Sequence, residues 1–165
     1  MLLDLKPLFS GSRDTLSVEF EMDLSELNFL GVKPFRSPVA ISGKIVSRAG
    51  IVQSDLNCKV EYVGVCDRCL KETVKNYTVA INRVIVVSLE NEENDDIAVV
   101  PDMQLDLEDF CYPDIVMSLP TKLLCKGDCK GLCSVCGKNL NEGDCGCQTK
   151  EIDPRLAALA ELLKD

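Results

Sequence analysis

The 165-residue chain contains no histidine. Every Ser–His or Cys–His nucleophile and every histidine general base is thereby excluded. Long apolar runs are also missing. Stretches such as Val84–Val87 fall far short of the ~20 residues that a membrane span requires. The opening segment, MLLDLKPLF, carries Asp4 and no basic n-region, so no signal peptide is expected and the chain is placed in the cytoplasm. Disorder is excluded by composition, with 46% hydrophobic against 27% charged residues. A chain of this length suits one ordinary domain, burying roughly 70% of the surface exposed by its unfolded form, with little room for a second large one.

Basic residues are absent from 84–121, which holds ten Asp and Glu and supplies the whole excess behind the net charge of -9. Its most acidic run, ENEENDD at 90–96, reads as a solvated loop, since a block of like charges repels itself. Residues 33–83 have the opposite balance, with nine basic and four acidic side chains. That stretch is compatible with a phosphate-binding face.

Residues 2–9 read as a short strand, Thr15–Met22 as a half-buried one, and Asp23–Leu30 as a helical turn. Gly31, Pro34 and Pro38 then interrupt the pattern. Val39–Arg48, Ile51–Val65 and Thr73–Leu89 are rich in β-branched residues with short links between them. Such an order predicts an antiparallel meander. Asp106 is the expected N-cap of a helix reaching about Leu119, in which Pro113 either kinks the element or stands in a first turn beginning near Cys111. A last helix is expected from Asp153-Pro154 to Lys164, with Leu156, Leu159, Leu162 and Leu163 as its apolar stripe. The fold class is α+β: a meander or partly open barrel with a few short helices and a C-terminal Cys-rich zinc-binding segment. Residues 1–120 form the β-rich part with its acidic loop and helix, and 121–165 the Cys-rich segment plus helix, packed as one unit.

Ten cysteines are present. Cys58, within a strand, and Cys111, within the acidic helix, are expected to be small buried apolar residues. The other eight fall into pairs: Cys66/Cys69, Cys125/Cys129, Cys133/Cys136 and Cys145/Cys147. Disulfides would need an oxidising compartment, and a redox CxxC wants its thiol at a helix start, whereas Cys66 sits at a hairpin end. Zinc fits better than either of these or an iron–sulfur cluster, because short spacers let both sulfurs of a pair reach one tetrahedral ion. Cys133, Cys136, Cys145 and Cys147 flank the return loop GKNLNEGD and make a local knuckle. Cys66 and Cys69 are then left to join Cys125 and Cys129, stapling the hairpin end to the segment after the helix. A rival places Cys125, Cys129, Cys133 and Cys136 on one ion. An all-thiolate site has no open position and is structural. Lys126, Lys130 and Lys138 stand near enough in sequence to offset its charge or to touch phosphate.

Taken together, CDRCL after EYVGV, LPTKLLC, CKGLCSVCGKNLNEGDCGC and DPRLAAL resemble the YceD family of bacterial proteins, which has plant relatives. The resemblance runs from the strands near residue 40 to the C-terminus. It implies a role in the accumulation, synthesis or processing of 23S ribosomal RNA, with no established reaction. Some members keep the CxRC pair but only a His/Cys group where Cys125 and Cys129 stand. That pattern supports pairing 66/69 with 125/129 and makes the 133–147 knuckle an addition. Pro113 departs from the family's unbroken helix.

The expected role is therefore that of a non-enzymatic assembly factor. It would bind precursor 23S RNA, a basic ribosomal protein, or both, through Lys59, Arg68, Lys71 and Lys75, with neither a membrane nor a small-molecule substrate involved. Two alternatives compete with it. One is a metal-dependent RNA-processing enzyme using Asp102, Asp106, Glu108, Asp109 and Asp114. The other is a module that senses oxidants by releasing zinc.

Overall fold

The computed structural model describes residues 1–89 and 96–147. Its order is β1 (Leu2–Asp4), α1 (Lys6–Phe9), β2 (Thr15–Met22), β3 (Val39–Arg48), β4 (Ile51–Val65), β5 (Glu72–Ile81), β6 (Val84–Val86), β7 (Ile97–Val99), β8 (Gln104–Asp106) and α2 (Leu107–Met117). Most of the ENEENDD run and the whole expected C-terminal helix lie outside the described residues. Two compact units emerge, Met1–Gly64 with Thr73–Lys122, and Val65–Glu72 with the chain from Leu123 onward.

In the first unit, side chains of β4 alternate between exposed and buried from Ile51 to Tyr62. One face of the sheet therefore meets the core and the other meets solvent. The strands β3 and β4 pair antiparallel as expected and β2 joins the other edge of β3, with Phe20 opposite Ile41 and Ile41 opposite Cys58. Ala49 and Gly50 both take left-handed backbone (φ 50° and 81°), as a two-residue hairpin turn matched to strand twist requires. Gly43 stands against Asp55 and Leu56 of β4, where an added Cβ would meet backbone atoms. The core is aliphatic, with Leu8, Ile41, Ile45, Leu56, Ile85 and Ile115 all inaccessible to solvent. Cys58 and Cys111 are buried in it as well. Among the described residues the sheets are open and antiparallel apart from the β6–β7 pair, with no closed barrel.

Two local expectations are corrected and two are met. Residues 2–9 are not one strand: Pro7 suits the first turn of α1, and only Leu2–Asp4 is extended, paired with β8. The turn expected within 23–30 is present, with the Leu27 N–H donating to the Leu24 carbonyl at 3.0 Å. The run 73–89 is broken at Asn82-Arg83, where the buried Ser54 hydroxyl donates to the carbonyls of Ile81 and Arg83 and accepts from the Arg83 N–H. This hydroxyl substitutes for regular pairing, so β5 and β6 each pair with a different stretch of β4. Finally, Pro113 stands inside α2 without ending it, and Asp106 is the N-cap, accepting from the Glu108 N–H at 2.9 Å.

Candidate metal centres

Among the described residues, the second unit has little hydrocarbon core. Its buried centre is Cys66, Cys69 and Cys129, at 0%, 6% and 2% exposure, with Leu124, Cys125 and Leu132 packed around them. The cysteine pairs are presented by two copies of one local device. The Cys66 N–H donates to the Lys71 carbonyl, and the Leu70 N–H returns to the Cys66 carbonyl, both at 2.9 Å. The Cys133 N–H donates to the Lys138 carbonyl at 2.8 Å, and the Gly137 N–H returns to the Cys133 carbonyl at 2.9 Å. In both turns the residue after the second cysteine is left-handed: Gly137 at φ 75° and Leu70 at φ 58°. Glycine takes that conformation freely and leucine does not. The tight turn aims both thiols of a pair to one side.

Two groups of four sulfurs result, Cys66/Cys69/Cys125/Cys129 and Cys133/Cys136/Cys145/Cys147, each with all its Sγ atoms within 4.8 Å of one another. The grouping of 125/129 with 133/136 does not occur. Tetrahedral zinc–thiolate bonds of ~2.3 Å place neighbouring sulfurs about 3.8 Å apart. Cys66 and Cys129 Sγ are 3.8 Å apart, and Cys69 and Cys125 Sγ 3.6 Å. All ten cysteines are free thiols. The donor sets thus fit a tetrahedral, thiophilic divalent cation, and zinc is compatible with them.

Electrostatics point the same way. Burial pushes the Cys66 thiol up, but the backbone N–H groups of Cys125, Cys69 and Arg68 outweigh it and hold the thiol at about 6. The N–H groups of Cys136 and Val135, with the Cys145 thiol, bring Cys133 down to about 6. Burial together with hydrogen bonds from Cys129 and Cys69 raises Cys125 to about 12, and Cys136 and Cys145 raise Cys147 to about 12. Each cluster therefore has one sulfur prepared as thiolate and another that keeps its proton beside like charge. Full ionisation requires a cation at the centre.

The clusters differ in access. Cys136 is exposed and Cys145 and Cys147 are half-buried, whereas the first cluster has three buried members. The first is also clasped from outside. Asp67 and Leu123 exchange two bonds, Asp67 N–H to the Leu123 carbonyl at 2.9 Å and Leu123 N–H to Asp67 Oδ2 at 2.6 Å. Arg68 Nη1 donates to the Cys129 carbonyl at 2.8 Å. Asn141 Nδ2 donates to Cys129 Sγ at 3.3 Å. Sequence reasoning missed Asp67 and Asn141, which looked like a spacer and like loop filler within NLN, and it singled out Arg68 for a partner rather than for this bond to Cys129.

Of the four basic residues expected to face a partner, Lys59 and Lys75 are exposed on β4 and β5 of the first unit, while Arg68 and Lys71 belong to the second. Lys59 borders an open cavity of about 440 Å³ lined also by Ser37, Glu61, Asn76 and Tyr77. Arg68 is engaged with Cys129, as described. Lys126 pairs with Asp128 at 3.8 Å and Lys138 donates to the Asp144 carbonyl at 3.1 Å. The carboxylates around α2 are engaged elsewhere: Asp106 caps the helix and, with Glu108, meets the N-terminal ammonium at 3.3 and 3.1 Å, and Asp114 pairs with Arg83 at 2.9 Å. Among the described residues the two cysteine clusters are the groups able to hold a metal ion.

Residues 54–163 match the family model described as "Large ribosomal RNA subunit accumulation protein YceD". An uncharacterized protein of Mycobacterium tuberculosis is 34% identical over 105 residues, covering 61% of this chain and 50% of the relative. The uncharacterized protein YlbN of Bacillus subtilis is 28% identical over 156 residues, covering 90% of this chain and 89% of that one. An uncharacterized Mycobacterium leprae protein is 25% identical over 171 residues, covering 99% and 77%. The chain spans about half the length of the Mycobacterium tuberculosis relative it matches. No solved structure matches it, and no helix among the described residues is long and apolar enough to cross a membrane. The family model extends over well more than half of the sequence and includes all eight paired cysteines, and the chain belongs to the YceD family.

Proposed function

We propose that this protein is a non-enzymatic cytoplasmic factor that supports the synthesis, processing or stability of 23S ribosomal RNA during assembly of the large ribosomal subunit. Membership of a family described by large ribosomal RNA accumulation carries the reading. In it, Cys66, Cys69, Cys125 and Cys129 hold one zinc ion, and Cys133, Cys136, Cys145 and Cys147 hold a second. Four thiolates around each ion leave no position for substrate or water, so zinc supplies cross-linking alone. The residues of the chain do the rest. Both tight turns aim the sulfurs, Asp67 and Arg68 lock the first turn to the segment 123–129, and the resulting rigid surface is presented to a client.

Two client chemistries suit this surface. The ten acidic residues between 84 and 121 suit a basic ribosomal protein. Lys59 and Lys75, exposed in the first unit, suit phosphate of the RNA precursor. An RNA contact through so few cations would weaken steeply with salt. The test is in-cell crosslinking followed by pull-down, with RNA and protein identified together. Enrichment of precursor 23S RNA, or of a basic large-subunit protein, is the expected result. Enrichment of neither would refute the assembly role.

A further inference from the structure

The segment Cys129–Leu132 is held on two sides. From one side Arg68 of the first turn donates to the Cys129 carbonyl at 2.8 Å, and the Leu132 N–H donates to the Arg68 carbonyl at 3.1 Å. Gly131 fits against that carbonyl so closely that an added Cβ would lie 3.1 Å from it. From the other side comes the return loop of the second cluster. The Leu140 N–H donates to the Gly131 carbonyl at 2.9 Å, and Leu132 and Asn139 form an antiparallel bridge. Asn141 completes the contact: its Oδ1 accepts from the Lys130 N–H at 3.0 Å, and its Nδ2 donates to Cys129 Sγ at 3.3 Å and to Asn139 Oδ1 at 2.8 Å.

Asn141 thus lies in the chain between the ligand pairs of one cluster and hydrogen-bonds a sulfur of the other. The loop carrying it is anchored at both ends by Cys133/Cys136 and Cys145/Cys147. Closing those four sulfurs around a cation fixes the loop ends, and with them the amide that supports Cys129. The first cluster is buried and the second is partly open to solvent. From this we infer that the two centres are coupled through Asn141. The exposed centre loses its metal first, and once empty it loosens the buried one. Thermodynamic linkage makes the coupling reciprocal for binding. Asn141 is a positioning residue here, acting on the metal through Cys129. The inference rests on the assignment of both clusters as zinc sites and adds the order and dependence of their release.

The test uses the full chain as purified with zinc, exposed to N-ethylmaleimide, with mass spectrometry reporting alkylation at each cysteine over time. The expected order is Cys136 and its three companions before Cys66, Cys69, Cys125 and Cys129. Emptying the exposed centre with Cys145→Ser should accelerate alkylation of the buried set about tenfold, the size expected for one hydrogen bond to a charged sulfur. Asn141→Asp keeps the acceptor for Lys130 but removes the donor to Cys129. It should give the same acceleration while the exposed centre retains its metal. If Cys145→Ser does not fold, Asn141→Asp alone decides. A buried set that reacts at the same rate in both variants as in the parent would overturn the coupling and leave both zinc sites standing. A protein purified without metal, with all eight cysteines reacting in one phase, would remove the zinc assignment and the coupling with it.

Discussion

Removing the metal should unfold one unit and spare the other. The first unit has its own aliphatic core, including Ile41, Ile45, Leu56 and Ile85. Among its described residues the second has sulfur where that core would be, with Leu124 and Leu132 packed against it as partly buried apolar neighbours. Small units with so little apolar material need a metal or disulfides to hold a fold. Where free zinc exceeds its dissociation constant about 1000-fold, binding contributes about 4 kcal/mol to the unit that contains the site. Chelation should then speed amide exchange about 1000-fold at Cys66, Leu70, Cys133 and Gly137, whose N–H groups close the two turns. Amides of the β2–β3–β4 ladder should change little. Hydrogen exchange read residue by residue, with and without chelator, measures this directly. Equal acceleration in ladder and turns would show that the metal supports the whole chain. No acceleration anywhere would show that the sulfur clusters hold no stabilising ion.

Substitutions at five positions probe the scaffold. Gly43→Ala would place a Cβ 2.2 Å from the Asp55 carbonyl oxygen and 2.8 Å from Leu56 Cα, both backbone, so β3 and β4 must part. A loss of about 3 kcal/mol or more in thermal or urea unfolding is expected. Gly137→Ala and Leu70→Gly exchange the left-handed positions of the two turns: the first should cost about 1 kcal/mol, while the second should be neutral or stabilising, since Leu70 is 64% exposed and already strained. Competition against a zinc chelator would read both. Arg83→Met strips Asp114 of its partner at 2.9 Å and leaves a carboxylate whose other oxygen is buried without a hydrogen bond. A loss of roughly 2–3 kcal/mol is expected, and adding Asp114→Leu should recover most of it. A double substitution no more stable than the single one would contradict that account.

What could be read from the sequence was local. Period-two alternation in Thr15–Met22 and the β-branched content of Ile51–Val65 are properties of adjacent residues, and they located β2 and β4 directly. Asp106 ahead of an apolar-patterned stretch marked the start of α2 for the same reason. The cysteine pairs were legible because short spacers restrict where two sulfurs can go. What escaped was set by partners distant in the chain. The interruption at Asn82-Arg83 depends on Ser54, a strand away. The N-terminal strand depends on β8, about a hundred residues on. Asn141 has nothing in its neighbourhood to say that its amide meets Cys129. Leu70 gave no sign of left-handed backbone, because leucine rarely adopts it; only the matching hydrogen bonds of the Gly137 turn explain why it does.

The charge pattern bears on which client the protein meets. Read as a string, residues 33–83 are the basic third of the chain. In the fold much of that charge is already used. Lys33 pairs with Glu26 at 2.7 Å, Lys44 faces Asp55 at 4.0 Å, Arg83 pairs with Asp114, and Arg68 is bound to the Cys129 carbonyl. Lys59 shares its sheet face with Asp55, four residues before it, and Glu61, two residues after it, on an alternating strand. Surface pairs of this kind are individually weak, but each cancels field at the distance where a phosphate would sit. A zinc ion held by four thiolates adds a formal charge of about −2 at each centre. The stretch 84–121 contains no Lys or Arg, and of its ten acidic residues Asp114 is paired with Arg83 and Asp106 and Glu108 with the N-terminal ammonium. On the proposed assembly role, this balance of charge suits a cationic client better than a polyanion. A basic large-subunit protein would satisfy both the family's association with large ribosomal RNA and the charge of this chain, with RNA affected through the protein that binds it.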